Sequence, residues 1–222
     1  MTKNDCFIPK EFLNFKEMSS FSTLSPGFYR SAIALLNNAK NQGSKYSNDV
    51  LSAVILFTTT IESYFNEILT LSLFKVKTEE SKEFIEKLKL GLVSNSRLSF
   101  KQKIAAIFKA YDPNSKGIDT NGDTFQDLVA LINLRNRIVH YNPNWYSIYK
   151  YPKELEILQS RCRIRLENTG WTTNYSCIEV GEWADQTIRN IIIEFSRISG
   201  AENPFDQKNE VIYKIWTLNT LK

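Results

Sequence analysis

The sequence is poor in the residues on which metal and redox chemistry depend. Its 222 residues include one histidine, His140, and three cysteines, Cys6, Cys162 and Cys177. A structural zinc site draws on about four Cys or His ligands, often as Cys-x-x-Cys pairs, and no such pair occurs. Neither a metal nor another cofactor is therefore expected. Three widely spaced cysteines do not make a disulfide framework, so they read as reduced thiols in a cytoplasmic protein. The Gly-x-Ser-x-Gly elbow of serine hydrolases and the Gly-x-x-x-x-Gly-Lys phosphate loop are both missing. Long apolar runs are missing too. Asp5 and Pro9-Lys10-Glu11 interrupt what would have to be a secretory leader. The most apolar stretch, Val50 to Phe57, reaches Glu62 and Asn66 well short of the roughly 18 apolar residues of a membrane span, which predicts a buried helix and no membrane partner. Neither sign of charge dominates. Lys and Arg number 28 against 24 Asp and Glu, which excludes coating of nucleic acid by bulk charge but leaves room for a local basic groove.

Apolar and aromatic residues are plentiful. Hydrophobic residues make up 42%, and 14 Phe, 10 Tyr and 4 Trp supply large side chains for one core. The expected organisation is a single domain, 1–222, with an N-terminal arm (1–26), a helical core (27–145) and a C-terminal part (146–222). In the arm, Phe7, Phe12, Phe15 and Phe21 are expected to lie across the helical body. Ser25 and Pro26 open a helix of about 27–40 with Phe28, Ala32, Leu35 and Leu36 as its stripe. Ser47-Asn48-Asp49 caps the longest helix, whose apolar residues run from Leu51 to Leu69 at spacings of three and four. A shorter helix is expected from Glu79 to Leu90, and Ser99 with Gln102 forms a capping box for another.

The turn-rich segment Asp112–Asp123 resembles a calcium loop in composition only. Lys116 would occupy a ligand position and Asp123 would replace the bidentate Glu, so it reads as a connector. Thr124 and Asp127 then suggest a capping box for a helix of about 125–140, ended by Pro143. Further on, a short helix is expected over Pro152–Arg161. The alternation of Ile164, Leu166, Ile178 and Val180 about Asn168-Thr169-Gly170 predicts a small hairpin, and a long helix over Glu182–Ile198 closes the chain.

The helix before Pro143 carries Arg135-Asn136-Arg137-Ile138-Val139-His140. At about 100° per residue, Leu128, Leu131, Ile132, Ile138 and Val139 gather on one side, and Arg135 falls within that stripe. A guanidinium stays charged and is costly to bury alone, so Arg135 needs a carboxylate partner, a bound anion or an opening to water. Asn136 and His140 stand one turn apart. His140 lies roughly 140° around the axis from Arg135, yet the long arginine can reach the same groove. An anion clamp, a neutral amide and an imidazole able to move protons near neutral pH are the parts that cleavage of a phosphodiester requires. RNA supplies its own nucleophile, the 2′-hydroxyl.

Arginine, a polar residue, spacers and histidine at the end of a late helix resemble the motif of HEPN domains. The stretch Ile61-Glu62-Ser63-Tyr64-Phe65-Asn66-Glu67 is similar to the acidic helix of that family. The resemblance covers about residues 27–145 and implies a mainly α, HEPN-type helical bundle, to which the expected C-terminal β-hairpin and final long helix would be added. It further implies a metal-independent endoribonuclease of toxin or antiphage type, leaving 2′,3′-cyclic phosphate ends, with RNA as substrate and an antitoxin or regulatory protein as a partner. Arg135 and His140 would be catalytic, with Asn136 positioning the phosphate or the histidine. Glu62 and Asn66 would support them. In that family the site forms across a dimer. The single histidine points the same way, because a mechanism using two imidazoles must take one from another subunit. The alternative within the resemblance is a non-catalytic dimerisation, nucleotide-binding or RNA-binding module.

Further candidates for RNA contact are Arg137, Tyr141 and the alternating Arg161, Arg163 and Arg165. If extended, those three arginines share a face that either tracks a phosphate backbone or forms a solvated edge. Lys101, Lys103 and Lys109 carry the same two readings. Tyr141, Trp145, Tyr146 and Tyr149 either stack bases or seal the helix end.

Overall fold

The computed structural model describes residues 23–75, 78–93, 96–112, 114, 116–141, 152–167, 169–208 and 210–217. The four arm phenylalanines, Cys6, Trp145, Tyr146 and Tyr149 lie outside them. The architecture is mainly helical. Helices α1 (Ser25–Asn41), α2 (Asn48–Lys75) and α3 (Glu79–Lys89) are followed by two short antiparallel strands, β1 (Leu92–Val93) and β2 (Ser96–Arg97), pairing Leu92 with Arg97. Then come α4 (Phe100–Tyr111), α5 (Asp123–Val139), a 3₁₀ turn at Lys153–Leu155, α6 (Ile157–Arg161), α7 (Trp171–Asn174), α8 (Ile178–Ser199) and α9 (Glu210–Thr217). No helix of the described residues is long and apolar enough to cross a membrane.

Helix α2 is central, packing against α1, α3, α5 and α8. Along one broad side of it Val50, Val54, Phe57, Ile61, Phe65 and Leu69 are buried. Its buried threonine and serine hydroxyls are satisfied within the helix: Thr58 Oγ1 donates to the Val54 carbonyl at 2.9 Å and Ser72 Oγ to that of Ile68 at 3.0 Å. Phe195 of α8 meets Phe65, Phe108 and Tyr64 edge-on, with centroids 5.1, 5.3 and 6.2 Å away. Such geometry sets ring edges against π faces and fixes how α2, α4 and α8 cross. The three hydroxyl-bearing or aromatic helices thus share one core.

Two helix starts differ from the expected caps. Ser25 does not cap α1 with its side chain. Instead Glu67 of α2 reaches the start of α1, where Oε1 accepts from the backbone N–H groups of Leu24 and Ser25 at 2.7 and 3.0 Å and Oε2 accepts from Ser25 Oγ. A carboxylate from another helix thereby takes up donors that a local cap would have served. At α5 the cap position is Gly122, without a side-chain cap bond, and Asp127 is engaged elsewhere. The Ser99–Gln102 capping box on α4 is present as expected.

The expected C-terminal hairpin is absent from the described residues. Residues 164–167 are irregular, and Ile178 and Val180 belong to the first turn of α8. The apparent period of two was the beginning of a helical stripe that continues through Trp183, Ala184, Ile188, Ile191 and Ile192. Ile164 and Leu166 do pack against the core. Their neighbourhood needs no paired strand, because Asn174 serves its backbone: Oδ1 accepts from Glu167 N–H at 2.8 Å, and Nδ2 donates to the Glu167 carbonyl at 3.2 Å.

Candidate functional site

Helix α5 buries Phe125, Leu128, Ala130, Leu131, Ile132 and Leu134, and its last turn runs out toward solvent. Of the three ways to accommodate Arg135, the described residues provide an opening to water. Its side chain is partly exposed, and Nη1 donates to Asn136 Oδ1 at 3.0 Å. Among the described residues no carboxylate forms an ion pair with it. His140 is the C-cap of the helix, exposed, with φ −103° and ψ 35°, and its N–H donates to the Asn136 carbonyl at 2.9 Å. Asn136 therefore touches Arg135 through its side chain and His140 through its backbone.

The segment returning after the motif is fastened to α5 at both ends. Arg137 donates through Nε to Glu154 Oε1, and Nη2 reaches the same oxygen. Glu154 is held below the usual carboxylate range by its own backbone N–H and by Arg137, against the opposing effect of burial. At the other end, Arg161 Nη2 contacts Asp123 Oδ1 at 2.6 Å and Arg161 Nε lies 3.1 Å from Asp127 Oδ1. Burial pushes the Asp127 carboxyl up, offset in part by Arg161 and Trp183. The pairings 137–154 and 123/127–161 run in opposite chain directions, so 154–161 lies antiparallel along α5.

This arrangement revises the reading of the three alternating arginines. Arg161 ends a helix and is committed to two aspartates, and Arg163 has a left-handed φ of 53°. Arg161 and Arg163 therefore do not share an extended face. Arg163 and Arg165 are both exposed. Arg137 is also exposed, although Glu154 already balances its charge.

Glu62 and Asn66 are not joined to the motif by any hydrogen bond or ion pair among the described residues. Glu62 is exposed, whereas Asn66 Oδ1 accepts from Lys103 Nζ at 2.8 Å. Lys103 also donates to the Lys89 carbonyl at 2.6 Å. Burial lowers the Lys103 pKa and the Glu62 charge opposes that shift. This cluster ties α2, α3 and α4 together. Beside it, a cavity of about 340 Å³ is lined by Leu24, Ser63, Asn66, Glu67, Leu71 and Lys89, with Asn66 and Glu67 already bonded as described.

Tyr141, directly after His140, is 54% exposed. Its ring lies 5.9 Å from that of Trp171, which lies 6.4 Å from the buried Tyr175. Tyr175 Oη donates to the Leu155 carbonyl at 3.0 Å, one residue from Glu154. Glu154 and Trp171 were not identified from the sequence, since neither stands at a recognisable spacing from the motif. Cys162 and Cys177 are buried, and burial pushes both thiols up, Cys177 to about 11, which disfavours a nucleophilic thiolate. No protein-family model, curated protein or solved structure matches the chain.

Proposed function

We propose that the protein is a metal-independent endoribonuclease of the HEPN kind, acting as a toxin or in antiphage defence. The observation that carries the reading is the state of Arg135. It lies in the apolar face of α5, is partly open to water, and is bonded to Asn136 with no ion-pair partner among the described residues. A cation prepared in this way suits a phosphate, and the chain's sole histidine stands in the same last turns.

In the proposed reaction the 2′-oxygen attacks the adjacent phosphorus while a histidine takes its proton. The P–O5′ bond breaks, O5′ receives a proton, and a 2′,3′-cyclic phosphate and a 5′-hydroxyl remain. Arg135 stabilises charge on the non-bridging oxygens. One imidazole per chain accounts for one proton transfer at a time, so the reading includes a homodimer whose second His140 serves the other transfer. The exposed Val139 beside His140 offers an apolar contact for that partner.

The test is incubation of the purified protein with mixed cellular RNA in EDTA, beside Arg135→Ala and His140→Ala. Cyclic-phosphate ends that vanish in both variants support the reading. Intact RNA with wild type, or equal cleavage by both variants, overturns it in favour of a non-catalytic binding module.

A further inference from the structure

We infer that Tyr141 and Trp171 form a stacking subsite for an RNA base next to the reacting phosphate. The inference rests on the nuclease reading for the identity of the ligand. It adds a residue from 30 positions further along the chain and a means of selecting substrate.

Three observations carry it. Tyr141 is the neighbour of His140, with their Cα atoms about 3.8 Å apart, so the ring stands on the chain immediately after the candidate histidine. Tyr141 is more than half exposed, and no hydrogen bond ties its hydroxyl among the described residues. Its ring is nevertheless supported, tilted at 56° to Trp171, which is itself backed by the fully buried Tyr175. The polar end of Tyr175 is fixed on the Leu155 carbonyl, beside the Arg137–Glu154 pair that fastens the same segment to α5. An exposed ring backed by a braced one loses little side-chain freedom when a base stacks on it. Every base has a π face, so the subsite admits all four and favours unpaired RNA, whose bases are free to splay.

The experiment uses full-length protein carrying His140→Ala, so that binding is read without cleavage. The probe is a set of single-stranded RNA oligonucleotides, each with one 2-aminopurine at a different position. Stacking on an aromatic ring quenches that base. The expected result is quenching at one position, lost with Tyr141→Leu or Trp171→Leu and retained with Tyr141→Phe, with Kd raised roughly 5- to 100-fold in the Leu variants. Tyr141→Leu alters an exposed side chain and keeps the test sound if Trp171→Leu does not fold. Unchanged quenching and affinity in Tyr141→Leu overturns the subsite, as does absence of quenching at every position. A shift in oligomeric mass without a change in quenching assigns the pair to a protein interface instead. Wild-type cleavage in EDTA, measured alongside, judges the nuclease reading separately.

Discussion

The guanidinium of Arg135 donates to the carboxamide of its neighbour Asn136 at 3.0 Å, although adjacent helical side chains diverge by about 100°. The bond draws the arginine from the apolar stripe toward the exposed side where Asn136 stands. Asn136 is thus a positioning residue in the proposed site. Asn136→Ala is expected to lower kcat roughly 100-fold, the scale on which a misplacement of about 1 Å acts. Asn136→Gln should recover part of that loss if the carboxamide is what matters, whereas a merely structural role would move thermal stability and leave kcat unchanged.

Arg161 is expected to matter for stability and little for RNA. Its two aspartates include Asp127, whose side chain is only 16% exposed, so removing Arg161 leaves a charge in a poor solvent. Arg161→Ala should cost about 1–3 kcal/mol in urea unfolding, and Asp127→Asn in that background should recover part of it. Arg163→Ala and Arg165→Ala should change stability by less than about 0.5 kcal/mol, as exposed positions do. Equal losses from all three would contradict this division of roles.

Asp112 gives the connector between α4 and α5 a pH dependence. Burial alone would raise its carboxyl, but the N–H groups of Asn114, Gly117 and Lys116 donate to it at 2.8, 2.8 and 2.9 Å and hold it below the usual range. Because the folded pKa is depressed, its contribution is present above the unfolded value of about 3.9 and is lost as pH falls through the folded value. Asp112→Asn replaces one acceptor oxygen with a donor. It should cost about 1–3 kcal/mol at pH 7, with the difference from wild type shrinking below about pH 4. A pH-independent difference would show that the charge is not what organises the loop.

Much of the fold was legible because local and tertiary preferences agree. Pro26, the Ser99–Gln102 box and the three-and-four spacing of α2 mark helices that the structure contains. The misread segments are those where a distant side chain decides. Ile178 and Val180 alternate over three residues, too short a window to separate a strand from the first turn of α8. The backbone of Glu167, Thr169 and Gly170 is served by Asn174, which no local pattern announces. Helix α9 was not anticipated, although Ile212, Ile215 and Trp216 have helical spacing. Eight residues are marginal alone, and Trp216 is held by Tyr29 and Phe205, with centroids 5.8 and 5.6 Å away. In the candidate site, Arg135, Asn136 and His140 were visible because they share one helix. Glu154 and Trp171 were not, because only folding brings them beside it.

Gly181 tests the packing of α8 against α1 and α2. A Cβ there would sit 2.5 Å from Leu36 Cδ1 and 3.4 Å from Val50 Cγ1. Alanine would gain about 1 kcal/mol of helix propensity over glycine, but forcing a methyl into a filled core costs about 1–3 kcal/mol. Leu36 is only 3% exposed, so its side chain has little room to yield, and the crowding should win. Gly181→Ala is therefore expected to destabilise by about 1 kcal/mol net. In a Leu36→Ala background the obstruction is gone, and the same change should become stabilising by about 1 kcal/mol through propensity and partial filling of the space. The sign reversal, read from a double-mutant cycle in urea, identifies contact with Leu36 as the reason glycine stands at this position; additive effects would place the reason elsewhere.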